Sequence, residues 1–177
     1  FPLYFEATNE KGLSIAGLNF PENAVYYDFT EEKYNVTPFE FIPWILAQCS
    51  CVDEVKALID KMNLVNINFS EKLPLSPLHW MISDKAQSIV VEPLADGLKI
   101  YDDPFDVLTN NPPFDFHRIN VSNYMGLSVG SASSQFKENI PMKNYSLGMG
   151  AIGLPGDFSS ASRFVRALFV KENSLSD

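Results

Sequence analysis

The chain has 177 residues, 46% of them hydrophobic and 20% charged, with 13 basic against 22 acidic side chains and a formal net charge of −9. That length suits one domain with a substantial core, and the composition is that of a folded chain. An acidic chain without a basic stripe argues against nucleic acid and anionic membrane surfaces as partners, and no apolar run is long enough to insert into a bilayer.

The beginning, Phe1-Pro2-Leu3-Tyr4-Phe5-Glu6-Ala7, has no initiator Met and enters directly on what reads as a strand. The expectation is either a processed chain or an internal piece of something longer. Leu3–Ala7 and Leu13–Asn19 read as paired strands around the polar turn Asn9-Glu10-Lys11-Gly12. Leu13, Ile15 and Gly17 then share one face. Ser14, Ala16 and Leu18 share the other.

Thr37-Pro38-Phe39-Glu40 predicts a helix start, with Thr37 as cap, Pro38 at the first helical position and Glu40 completing a capping box. Phe41, Trp44, Ile45 and Gln48 follow helical spacing, and Pro43 predicts a kink. Ser50 with Asp53 predicts a second cap. Val52, Val55, Leu58, Ile59 and Met62 form the apolar stripe of the helix after it. The two cysteines, Cys49 and Cys51, fall at this junction with only Ser50 between them. The spacing is neither Cys-x-x-Cys nor part of a zinc set, so they read as small buried hydrophobes, and neither metal nor cofactor is expected. Unpaired thiols point to a reducing, cytoplasmic compartment. The sequons at Asn35, Asn68, Asn120 and Asn144 read as chance in an Asn-rich chain.

From Leu64 the period changes. Leu64–Phe69, Leu78–Asp84, Ser88–Glu92 and Leu98–Tyr101 read as strands of an antiparallel meander, with Asp96-Gly97 as a turn, leading to Val107–Asn110. Pro112 and Pro113 stop that strand just after Asn110 and Asn111. Phe114–Met125 reads as helix, residues 126–150 as a long Gly-, Ser- and Asn-rich excursion, and Ser159–Ser162 as the cap of a last helix carrying Arg163. The architecture expected is α+β: a mainly antiparallel sheet with helices over both faces.

Gly148-Met149-Gly150-Ala151-Ile152-Gly153 matches a dinucleotide fingerprint, but Leu154-Pro155-Gly156 stops any helix there, and no βαβ unit precedes it. His79 and His117 sit in no ligand spacing, and no nucleophile elbow supports a Ser-His-Asp triad. His79 reads as a hydrogen-bonded structural residue. Two strand-end amides, Asn19 and Asn110, and a helix-opening Arg163 are the side-chain types an oxyanion site uses. Taken singly, they read better as two turn amides and a surface Arg.

Several blocks together resemble the choloylglycine hydrolase family. They are Asn9-Glu10-Lys11-Gly12-Leu13, Ala16-Gly17-Leu18-Asn19-Phe20-Pro21, Leu78-His79-Trp80, Ser88-Ile89-Val90-Val91-Glu92, Val107-Leu108-Thr109-Asn110 with Pro112, and Gly153-Leu154-Pro155-Gly156-Asp157-Phe158 with Ala161-Ser162-Arg163-Phe164. They are collinear over essentially the whole chain, and look most like the bile salt hydrolases of gut lactic acid bacteria. The resemblance implies an αββα four-layer sandwich of the N-terminal nucleophile hydrolase type, of which residues 1–177 are the central part of a single domain. It implies hydrolysis of the linear amide of glycine- or taurine-conjugated bile salts. The N-terminal Cys nucleophile and its neighbouring Arg and Asp lie outside this sequence, and Cys49 and Cys51 do not take that role.

Residue by residue, Asn110 resembles the family's oxyanion-hole amide, and Arg163 the Arg near the nucleophile. Asn19 occupies a position that tends to be Asn in bile salt hydrolases and Tyr in penicillin V acylases. Phe69, Leu73 and Leu78 fall in the steroid-contacting loop. Residues 123–156 resemble the assembly loop, implying a homotetramer. The alternatives are a penicillin V or acyl homoserine lactone acylase on the same scaffold, and an inactive fragment with only an assembly or binding role.

Overall fold

In the computed structural model, which describes residues 3–174, the chain forms two compact units, one extending to Phe114 and the other starting at Asp115. The first unit is built on a five-stranded antiparallel sheet. In chain order its elements are β1 (Glu6–Thr8), β2 (Ser14–Asn19), β3 (Tyr34–Val36), α1 (Phe41–Leu46), α2 (Val52–Ile59), β4 (Met62–Leu64), β5 (Leu78–Ser83), β6 (Ser88–Leu94) and β7 (Gly97–Asp102). The sheet order is β1-β2-β5-β6-β7, and β3 and β4 make a separate parallel pair.

Alternation along these strands sorts the two faces. Ile15, Ile82 and Ile89 stand in register across β2, β5 and β6, with Trp80 opposite Val91. They join Leu13, Phe41, Ile42, Ile45, Val52, Val55 and Ile59 in one core cluster, so α1 and α2 cover this face. Burying each such side chain contributes roughly 1.5–3 kcal/mol before entropy is charged against it. The fit is tight at Gly17, where an added Cβ would stand 3.1 Å from the Trp80 indole nitrogen. Asn9 ties the β1–β2 turn to the α1–α2 junction. Its Nδ2 donates to the carbonyls of Leu46 and Cys49, at 3.0 and 2.8 Å, and its Oδ1 accepts from Lys11 and Leu13.

Helix ends depart from the sequence expectation in instructive ways. The Thr37–Glu40 pairing forms, with Thr37 Oγ1 donating to Glu40 Oε2 at 2.6 Å, yet α1 starts only at Phe41. Pro43 therefore falls in the first turn, where a missing N–H costs nothing, and no long helix is left to kink. At α2 the cap position is Cys51, and Ser50 bonds Glu54 rather than Asp53. The Val52 N–H, which has no acceptor within the helix, is taken by Asp84 Oδ2 at 2.8 Å from the β5–β6 turn. Asp53 instead accepts from Gln87. Cys49 is buried and Cys51 half-buried, both free. Burial first, then the charge of Glu54, pushes the Cys49 thiol up to about 11, which keeps it protonated and unreactive.

Two strand expectations are corrected. The segment after Leu64 is not part of the meander: β4 is Met62–Leu64 and pairs in parallel with β3. Val107–Asn110 is not a strand, because its backbone partners are side chains instead of a ladder. Asp103 Oδ1 and Oδ2 accept from Phe105 and Val107, at 2.9 and 3.1 Å, and Asp106 adopts a φ of 48°. On the other face of this sheet Phe20 stacks on His79, and Phe114 packs on Tyr101 and Phe105.

The second unit carries α3 (Phe114–Val121), which begins at the boundary residue, and α4 (Ser160–Asn173). A 3-10 turn at Ser122–Tyr124 shortens the helix expected to reach Met125. His117 stacks on Phe164 at 4.7 Å, joining α3 to α4. Ser159 caps α4 by accepting from the Ser162 N–H, as expected. Between residues 125 and 148 no helix or strand forms, and the Gly148–Gly153 run holds only a three-residue 3-10 turn at Met149–Ala151.

Candidate functional site

Asn19 is the last residue of β2, and its cross-strand partner on β5 is Leu78. Strand pairing stops there because Pro21 has no N–H to continue it. The Asn19 carbonyl, left at the sheet end, accepts a 2.8 Å hydrogen bond from Asn110 Nδ2. The two residues singled out in the sequence, 91 positions apart, thus meet through the Asn110 side chain and the Asn19 main chain. Asn111 makes a parallel contact, its Nδ2 donating to the Pro21 carbonyl. The Asn111–Pro112 peptide is cis, which turns the chain sharply behind the two amides. A side-chain amide nitrogen is a donor of the kind that can meet developing negative charge.

Beside this pair lies a pocket of about 180 Å³ whose walls include Phe39, Phe69, Leu73, Leu75 and Leu78. All three residues expected to contact an apolar ligand, Phe69, Leu73 and Leu78, line it. Phe39 was not anticipated, and meets Phe69 edge to face at 5.1 Å. Only the T-shaped pairing after folding identifies it, because in sequence it reads as part of a helix start. The pocket loop is pinned at its end by Tyr26, whose hydroxyl donates to the Ser76 carbonyl at 2.6 Å and accepts from the Leu78 N–H at 3.0 Å. Burial raises that phenol to about 12, so it remains a neutral donor.

Behind the amides is a fully buried polar cluster. His79 and Glu92 are both 0% exposed. His79 Nδ1 lies 3.0 Å from Glu92 Oε1, and Nε2 lies 2.8 Å from the carbonyl oxygen of Thr109. Glu92 also accepts from the Phe114 N–H, at 3.1 and 3.2 Å. The structural reading of His79 holds. Glu92 was missed, since a lone Glu in an apolar strand gives no sequence signal beyond being out of place.

Arg163 stands in the second unit, on the exposed first turn of α4, and its Nε donates to the Phe158 carbonyl at 3.2 Å. Nearby, Arg166 Nη1 donates to the carbonyls of Pro155 and Asp157, at 2.9 and 2.6 Å. Asp157 accepts from Ser159 and Ser162, which holds its carboxyl down at about 2. Among the described residues no group of three or more His, Cys, Asp or Glu is placed to hold a metal ion. No helix among them is long and apolar enough to cross a membrane.

Similarity to known proteins gives the class of the chain. The family described as linear amide C–N hydrolases, choloylglycine hydrolase family, matches residues 1–177. The chain belongs to the choloylglycine hydrolase family. It is 59% identical over 176 residues to a bile salt hydrolase/transferase of Lactiplantibacillus plantarum, covering 99% of this chain and 54% of that protein. A bile salt hydrolase/transferase of Clostridium perfringens is 41% identical, with 97% and 53% covered. A crystal structure of a variant conjugated bile acid hydrolase from Clostridium perfringens superposes with a TM-score of 0.90 at 41% identity, covering 97% of this chain and 53% of that one. Penicillin V acylase from Agrobacterium tumefaciens shares the fold alone, with a TM-score of 0.72 at 21% identity and coverages of 96% and 45%. The fold is the expected α+β type of N-terminal nucleophile hydrolases, and the chain spans about half the length of the relatives it matches.

Proposed function

We propose that the protein of which these residues are part hydrolyses the amide bond of glycine- or taurine-conjugated bile salts. An N-terminal Cys outside this sequence attacks the carbonyl carbon through its thiolate sulfur. The carbonyl π electrons move to oxygen, and the oxyanion collapses with loss of the amine, whose nitrogen takes the proton that the α-amine of the Cys accepted from the thiol. Water then releases the bile acid from the thioester. Asn110 and Asn19 stabilise the oxyanion, and Arg163 supplies fixed positive charge. Phe69, Leu73 and Leu78 hold the flat apolar steroid, which suits a mostly hydrophobic pocket with few polar groups at its edge.

One observation carries this reading: Asn110 Nδ2 bonds the Asn19 carbonyl at 2.8 Å, and Asn19 is paired directly with the pocket residue Leu78. The Asn110 donor is therefore held at the sheet end that also carries the pocket residue Leu78. Proteins named bile salt hydrolase among its relatives support the same substrate class.

Exposed apolar side chains at Phe136, Tyr145 and Leu147 support an assembly role for residues 123–156 in a homotetramer. Two free thiols support a reducing, cytoplasmic setting. We treat residues 1–177 as the central part of one domain.

The test is Asn110→Ala in the full-length protein, assayed with taurocholate and penicillin V. Losing one oxyanion donor is expected to lower kcat on taurocholate roughly 10²- to 10³-fold. An unchanged kcat overturns the oxyanion role. A wild-type preference for penicillin V overturns the substrate assignment and, with it, the significance of Asn at position 19.

A further inference from the structure

The chemistry just proposed does not use the buried pair His79–Glu92, although it contacts both ends of the segment that carries Asn110. Carboxylates and imidazoles are seldom fully buried, and burying them is costly unless every polar atom is occupied. Here they are occupied by backbone. The Thr109 carbonyl can only accept, so His79 Nε2 must carry a proton. The contact between Nδ1 and Glu92 Oε1 holds one further proton, as imidazolium with carboxylate or as imidazole with carboxylic acid. In both forms Nε2–H points at Thr109, so the tautomer is set by geometry.

The other end of the segment is held by Glu92, which accepts the Phe114 N–H. Phe20, the residue after Asn19, stacks on the His79 ring at 4.2 Å and 4° and fixes its plane. The Phe20 N–H donates to Pro77, so β2 is latched to the start of β5 on the same side. His79 thus sits one residue from the pocket wall Leu78, against the residue after Asn19, and on the carbonyl of the residue before Asn110.

We infer that His79 and Glu92 are positioning residues. They clamp Thr109 and Phe114 so that the short proline-bounded loop between them holds the Asn110 amide against Asn19. This rests on the reading of Asn110 as an oxyanion donor. The clamp is needed because the loop has no ladder of its own, and a donor displaced by about 1 Å loses much of its effect on the transition state.

The experiment uses the full-length protein, taurocholate as substrate, and thiol titration of the nucleophile to count folded active sites. Glu92→Gln keeps an acceptor for Phe114 but removes the charge opposite Nδ1. His79→Gln places an amide donor near the former Nε2, and His79→Asn reaches only the Nδ1 side. The expectation is that Glu92→Gln and His79→Asn lower kcat per titrated site roughly tenfold or more with KM within about twofold. His79→Gln is expected to restore most of kcat. Combined with Asn110→Ala, either loss is expected to disappear, because the clamp acts through that amide.

A merely structural role predicts lower melting temperatures with kcat per titrated site unchanged, and that outcome overturns the proposal. Full additivity with Asn110→Ala overturns it too. If Asn110→Ala alone leaves kcat unchanged, the parent reading fails instead. Should Glu92→Gln not accumulate as folded protein, the contrast between the two His79 variants decides the question by itself.

Discussion

Asp103 shows how one side chain can replace a strand. It is 3% exposed, and its two oxygens take the N–H groups of Phe105 and Val107 while burial raises its carboxyl to about 6. A carboxyl raised in the folded state favours folding when protonated. Its contribution is therefore fully present below the unfolded value of 3.8 and is lost as pH rises through about 6. Relative to Asp103→Asn, wild-type stability is expected to decline by on the order of 2 kcal/mol between pH 4 and pH 7. Thermal melts of the two proteins across that range check it, and parallel pH curves refute it. The same residue explains why Val107–Thr109, β-branched and apolar, was expected to be a strand and is not. Side-chain hydrogen bonds from a buried carboxylate outcompete the ladder, and propensity does not register them.

Among the elements, β2 and β5 position the site and the excursion before α4 frames the second unit. Strand alternation in β2 and a tight turn between β6 and β7 were read from neighbours in sequence, although the turn falls on Ala95-Asp96 and Gly97 already opens β7. The β3–β4 parallel pair was not, since its partners are more than twenty residues apart and three residues long. In the excursion, Ser128 donates to the Gly150 carbonyl and Gly150 donates to that of Gly130, closing its base. A Cβ at Gly150 would lie 2.6 Å from the Gly130 oxygen and 2.8 Å from that of Ser128. Both are backbone atoms that cannot swing aside. Gly150→Ala is therefore expected to open this base while leaving α4 capped by Ser159. Faster amide exchange confined to residues 128–150 is the signature, and unchanged exchange there contradicts it. The glycine run that imitates a nucleotide fingerprint has this packing duty instead.

For the whole molecule, the strongest outward signal is apolar exposure in that excursion. Leu147 is 94% exposed, Tyr145 83% and Phe136 71%. Monomeric proteins rarely leave so many large apolar side chains together in water. If the segment assembles copies of the full-length protein, Tyr145→Glu with Leu147→Glu is expected to shift its light-scattering mass from tetramer to a smaller species. Each substitution would place a charge in a desolvated interface. A wild type that is already monomeric, or a double variant that stays tetrameric, removes the assembly role.

Although Cys51, expected to be buried, is half-buried, the α+β class, most of the antiparallel pairing, the burial of Cys49 and the capped last helix are legible in the sequence alone. Each follows from periodicity or from residues within a few positions of one another. Its motif blocks were specific enough to reach the choloylglycine hydrolase family, which the comparisons show. Contacts over long separations emerge only on folding. Asn110 meets Asn19 across 91 residues, Val52 takes its cap from Asp84, and Glu92 is buried against His79 and Phe114. No local preference encodes such meetings, because they exist only once the sheet has set its register and the loops have closed over it.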